Sequence, residues 1–118
     1  MTTRTKVIYG AGNPGCSIST GKTSSALIVT GSGIFLGLLI KCDGTNDLTL
    51  NVYDAITATG TQLIPTDFVF DGTIKANSLG LAPGIRFATG LYLEIAVAGG
   101  GSCEVQALYD ADEIKGTA

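Results

Sequence analysis

The most regular pattern in the chain runs from Leu48 to Tyr53, where Leu48, Leu50 and Val52 alternate with Thr49, Asn51 and Tyr53. A period of two puts the leucines and the valine on one face, which predicts a half-buried β-strand. Two apolar, β-branched runs precede it, Ser24 to Thr30 and Ile34 to Lys41, and Gly31-Ser32-Gly33 between them reads as a hairpin turn. Asp54 to Thr61 reads as a connection. Gln62 to Ile64 and Phe68 to Phe70 are strand pieces interrupted by Pro65, a residue that implies an edge or a bend. Asp71 to Pro83 predicts an irregular segment with one short strand. Ile85 to Ala88, Leu91 to Val97 and Cys103 to Tyr109 then read as a meander. In it Leu91, Leu93, Ile95 and Val97 face inward, Tyr92 and Glu94 face outward, and Gly99-Gly100-Gly101 forms the last hairpin.

A short candidate strand at Lys6 to Tyr9, followed by the turn-rich Gly10 to Gly15, brings the total to about eight strands, the number and spacing of an antiparallel β-sandwich or small barrel. The expectation is one all-β domain over residues 1–118, with 1–20 as an N-terminal arm or loop and 110–118 as a flexible acidic tail.

Composition sharpens one point. Hydrophobic residues make up 45% of the chain and charged residues only 14%, against about a quarter charged in an average globular protein. The deficit is concentrated: from Thr23 through Ile40 there is no charged residue, while Lys22 and Lys41 bracket the stretch. Leu27 and Val29 oppose Ala26 and Ile28 there, and Phe35 and Leu39 oppose Ile34, Leu36, Leu38 and Ile40. An isolated antiparallel sheet normally shows one polar face to water. Either a loop packs over a central layer or a neighbouring subunit covers it. The second is favoured, because a domain of this size has little spare chain for an outer face. Leu27, Val29, Phe35, Leu36 and Leu38 are the candidate interface.

Candidate chemistry is sparse. Gly15-Cys-Ser-Ile-Ser-Thr-Gly21-Lys22-Thr23 approaches a phosphate-binding loop, but five residues rather than four separate its glycines, and a β-type run rather than a helix follows. Asp43-Gly44-Thr45-Asn46-Asp47 offers oxygens for a calcium ion, yet lacks the ligand order and distal glutamate of an EF-hand and suits a turn equally well. Without histidine, the common nucleophile–base pairs and most zinc sites are unavailable. Glu94 and Glu104 are carboxylates that the last hairpin would set face to face, although both fall at outward, solvated positions. Cys16, Cys42 and Cys103, odd in number and widely spaced, predict free buried thiols. No catalytic residue, metal or cofactor is expected.

A net charge of −3 with no basic stripe argues against a nucleic-acid partner. Met1 to Lys6 has no apolar run behind it and the run from Ile34 to Ile40 is too short for a membrane helix, so synthesis and folding in a cytoplasm are expected, with no membrane partner.

At Leu50-Asn-Val-Tyr-Asp54 followed by Ala58-Thr-Gly-Thr-Gln-Leu63, and again at Pro83-Gly-Ile-Arg-Phe87 followed by Gly90-Leu-Tyr92, the chain resembles small virion structural proteins of tailed bacteriophages, over about residues 20 to 109. The resemblance implies a jelly-roll-like sandwich without catalytic residues, acting as a head decoration or cement subunit. It implies a homo-oligomer, with a trimer favoured, that contacts the major capsid protein or other virion proteins. It gives residues 23–40 a role in subunit packing and makes the two ends arms, with Arg4 and Lys6 pairing with Asp110, Asp112 and Glu113 of a neighbour. The alternatives are a tail or connector component and a carbohydrate-binding module with Tyr53, Tyr92 and Tyr109 as stacking platforms.

Overall fold

β-Branched and aromatic residues separated by glycine-rich turns form strands throughout, and a computed structural model describes residues 16–112 as nearly pure β-structure. The elements are β1 (Ser17–Ile18), β2 (Ala26–Thr30), β3 (Gly33–Lys41), β4 (Leu48–Asp54), β5 (Thr61–Gln62), β6 (Phe68–Phe70), β7 (Ala76–Phe87), β8 (Gly90–Val97) and β9 (Glu104–Ala111), with a 3-10 turn at Ala98–Gly100 before β9. The strand expected at Lys6 to Tyr9 lies outside the described residues, as do Arg4, Lys6 and Glu113.

Two antiparallel sheets pack face to face. One has the order β1-β9-β3-β7, and the other β2-β8-β4-β5, with β6 also on β4. Because β5 pairs with Tyr53 and Asp54 while β6 pairs with Leu48 to Leu50, the two share one edge of β4, broken at Pro65 as expected. Apart from β4 to β6, every connection crosses from one sheet to the other. This alternation gives the eight strand positions the jelly-roll connectivity.

Three expectations are corrected by this crossing. Gly31-Ser32-Gly33 is not a hairpin, since β2 pairs with β8 and β3 with β7 and β9. Gly99-Gly100-Gly101 likewise carries the chain between sheets, so the last strands form no meander. Of the segment expected to be irregular, Asp71 to Pro83, residues 71–75 are turn, but from Ala76 on it belongs to β7, a long edge strand rather than a short one. The ends also differ: Ser17 and Ile18 pair with Tyr109 and Leu108, and Asp110 and Ala111 pair with Ile34 and Gly33.

The core fills the space between the sheets. Phe35, Leu38, Val105, Ala107 and Phe87 from the first sheet meet Leu48, Leu50, Val52, Leu91 and Leu93 from the second, all fully buried. In β3 the inward residues are Phe35, then Leu38 and Ile40, so the strand changes phase between them. The pairing with β7 and β9 shifts between Phe35 and Gly37. Opposite Leu36, β7 carries four unpaired residues, Leu81 to Gly84. Gly37 sits at φ 147°, and a Cβ there would stand 2.1 Å from the Leu79 carbonyl oxygen, so only glycine permits the close approach. Pro83 is tolerated because β7 is an edge.

This phase change moves Phe35 and Leu38 from the candidate interface into the core. Burying each stabilises the fold by roughly 1.5–3 kcal/mol. Phe35→Ala should therefore lower the unfolding free energy by about 3–5 kcal/mol, read as a fall in the urea midpoint with little change in slope. A loss below about 1 kcal/mol would mean that Phe35 does not hold the sheets together.

Candidate interaction surface

Outward residues of the β1-β9-β3-β7 sheet follow from its register. Ile18 pairs with Leu108, which lies beside Gly37, Leu39 pairs with Gln106 and Ser78, and Ile34 pairs with Asp110 and Arg86. Since Ala107 and Val105 point into the core, Leu108 and Gln106 point out. Ile18, Leu108, Leu36, Ile34 and Leu39 thus form an apolar stripe across three adjacent strands. Ile18 is 51% exposed and Leu39 40%, while Ile34, Leu36 and Leu108 are partly covered. Arg86 and Asp110 border it at one end, and Lys41 and Glu104 at the other. Beside Leu39 a shallow depression of about 290 Å³ is walled by Lys41, Ala76, Asn77, Glu104 and Gln106. An apolar centre with a polar rim and a side-chain-sized socket has the anatomy of a protein-binding surface.

The candidate residues of the sequence do not all meet there. Leu36 does. Phe35 and Leu38 are core, Val29 packs against the core, and Leu27 is exposed on β2 in the other sheet. Asp112 is held within its own chain: Ser32 Oγ donates to Asp112 Oδ2 at 2.7 Å, and Arg86 forms an ion pair with the same carboxylate. That contact fastens residue 112 to β7 and to the β2–β3 crossing, while Arg4 and Lys6, the partners expected for it, lie outside the described residues. Ile18, Leu39 and Leu108 were missed, because the phase of β3 and the β1–β9 pairing are set by contacts far apart in the chain.

Comparison of the chain with protein-family models, curated proteins and solved structures returns no match. Function is therefore argued from geometry.

Outside the stripe, the polar clusters are committed to holding connections. Lys22 of the glycine-lysine-threonine motif exchanges backbone hydrogen bonds with Val105, 2.8 Å each way, and β2 follows. Its amide therefore binds a strand, as a phosphate loop's would not. Asp43 Oδ1 accepts from the Thr45 and Asn46 amides at 2.8 Å, and Oδ2 accepts from Asn46 Nδ2 and the Ser102 amide at 3.0 Å. Asp47 Oδ1 accepts from the Gly72 amide. Four donors hold Asp43 well below the usual carboxylate range, the Asn46 side chain contributing most. A cation would have to displace them. No group of three or more acidic or thiol side chains converges among the described residues.

Glu94 and Glu104 lie in different sheets, so the pair considered from sequence does not form. Glu94 instead joins a network on the outer face of the second sheet. Asn51 Nδ2 donates to Glu94 Oε1 at 3.0 Å and to Asp67 Oδ1 at 2.9 Å, and Tyr53 donates its hydroxyl to Glu94 at 3.2 Å. Asn51 Oδ1 accepts the Asp67 amide at 2.7 Å, which stabilises Asp67 at φ 52°. Burial, followed by the Glu94 carboxylate, pushes the Tyr53 phenol up. The Asn51 amide fills the gap between the carboxylates, where a substrate would have to sit. Tyr53 is buried and Tyr109 packs toward the core of the other sheet, so the three tyrosines form no stacking platform.

Asp54 pins the β7–β8 turn by accepting the backbone amides of Thr89 at 2.8 Å, Ala88 at 3.0 Å and Gly90 at 3.4 Å. Partial burial acts to raise its pKa, but the Thr89, Ala88 and Gly90 amides together outweigh it and lower the value. A carboxyl lowered in the folded state adds stability that is complete above its unfolded value, about 3.9, and that is lost as pH falls through the folded value. Asp43, Asp54 and Asp71 are all lowered, so stability should decline below about pH 4. Asp54→Asn should cost about 1 kcal/mol at neutral pH, with the gap to wild type closing in acid. Urea titrations at pH 7 and pH 3 with an unchanged gap would contradict this role.

Proposed function

We propose that the protein is a non-enzymatic structural subunit that works by protein–protein contact, and that its most fitting setting is a bacteriophage virion, as a head decoration or cement protein. The observation that carries this is the Ile18–Leu108–Leu36–Leu39 stripe: an apolar surface on three adjacent strands, bounded by charges, on a fold whose interior is already complete. Burying such a face against a second copy excludes water from these side chains, and the rim charges Lys41 and Glu104 fix register. The jelly-roll connectivity supports the reading by analogy, because capsid and lectin domains share it. The reading includes self-association, with a trimer favoured, then attachment to capsid or other virion proteins after synthesis in the host cytoplasm.

Light scattering on the purified chain tests the reading, with a homo-oligomer expected at micromolar concentration. Leu39→Asp should keep the β-type circular dichroism spectrum and weaken association at least about tenfold, since a carboxylate would be buried without a partner. Leu38→Asp, by contrast, should abolish folding. A monomeric wild-type protein, or a Leu39→Asp variant that associates as tightly as the parent, would overturn the assignment.

A further inference from the structure

Beneath the Asp43 turn, the ends of β3 and β9 bring two thiols together. The last ladder pair between these strands is Lys41 with Glu104, so antiparallel register sets Cys42 opposite Cys103 one step further on. Ile40 and Val105 face inward, and the alternation turns both cysteines the same way. They are 5% and 1% exposed, and both thiols are free. Directly opposed residues on one face of such a pair have Cβ atoms about 4.5–5.5 Å apart, bordering the roughly 3.5–4.5 Å that a disulfide spans.

The backbone on both sides is already fixed. The Cys42 amide donates to the Lys75 carbonyl at 2.8 Å, and the Ser102 amide donates to Asp43 Oδ2 at 3.0 Å, tying together the residues that flank the pair. A depression of about 260 Å³, lined by Thr23, Lys41, Cys42, Asp43, Ser102 and Glu104, opens onto Cys42. The exposed third thiol, Cys16, adjoins Ser17, which pairs with Tyr109 near the opposite end of β9, roughly 20 Å away along the strand.

We propose that Cys42 and Cys103 are a redox pair, closed into a cross-strand disulfide by exchange with a low-molecular-weight disulfide such as oxidised glutathione. One cysteine thiolate attacks a glutathione sulfur, forming a mixed disulfide and releasing one glutathione thiolate. The second cysteine attacks the protein sulfur of that adduct and releases the other glutathione. The protein loses two protons and two electrons, and one oxidised glutathione becomes two reduced molecules. Burial, the Cys103 thiol, and then Asp43 and Asp47 push Cys42 up to about 12, so exchange in the folded protein is slow at neutral pH. Once formed, the bond staples the ends of two central strands and closes the long loop between residues 42 and 103, which restricts the unfolded chain.

The purified protein, incubated with excess oxidised glutathione at mildly alkaline pH, is denatured, alkylated and mapped by mass spectrometry. A Cys42–Cys103 linked peptide is expected, with the exposed Cys16 either alkylated or carrying one glutathione. The thermal midpoint should rise by on the order of 10 °C relative to the dithiothreitol-treated protein. Cys16→Ser should behave identically, and Cys42→Ala should show no rise. Cys42 and Cys103 both still alkylatable after oxidation, glutathione adducts on either of them that do not close, or a linked protein with an unchanged or lower midpoint would each overturn the proposal.

Discussion

The bulge between Phe35 and Gly37 decides which way every later side chain of β3 points, and β3 is the strand on which the first sheet is built. It pairs along its length with β7 on one side and β9 on the other. A one-residue change of phase exchanges the two faces of a strand. Without the bulge, inward Phe35 would be followed by inward Gly37 and Leu39, leaving Leu38 and Ile40 in water. With it, Phe35, Leu38 and Ile40 all enter the core while Leu36 and Leu39 stay outside. Both faces remain apolar, but for different purposes: the inner set closes the sandwich, and the outer set forms the stripe.

Jelly-roll connectivity imposes a second requirement. Each crossing between sheets takes the chain out of the ladders, so its amides need other partners. Short polar side chains meet that need across the fold: Asp54 at the β7–β8 turn, Asp43 after β3, Asp47 on Gly72, and Asn51 on Asp67. Arg86 and Ser32 hold the end of the described chain by a different route, through the Asp112 carboxylate. Most of the few carboxylates are spent on the architecture, which explains how so acidic a balance coexists with so few apparent sites.

How much of this was legible in the sequence depends on the range of the interaction. β4 was, because its alternation from Leu48 to Tyr53 is unbroken and its Leu-Leu-Val face is buried as the period requires. The split edge at Pro65 was legible too, because proline cannot donate to a ladder. The glycine turns at residues 31–33 and 99–101 were misleading, since a flexible turn says that the chain reverses but not whether it returns to its own sheet. Asn51 and Tyr53 occupy outward positions yet are buried, because Asp67 and Glu94 gather over them. The Cys42–Cys103 contact depends on a β3–β9 pairing between opposite halves of the chain, which no local pattern encodes.

The absence of charge from Thr23 to Ile40 still carries the functional argument, but it divides into two parts. For β2 it reflects a short edge strand whose Ile28 and Val29 pack on the core while Leu27 is exposed; a single exposed leucine on an edge is ordinary for a monomeric surface. For β3 it is different, because Leu36 and Leu39 are central and continue through Leu108 to Ile18 on neighbouring strands. Solvent exposure of one such residue has little consequence, whereas a contiguous row with charges only at its ends is the arrangement that association rewards. The β3 bulge places Leu39 in that row by taking Leu38 and Ile40 into the core in its stead, so the same local irregularity that completes the fold also sets which side chains the outer face presents.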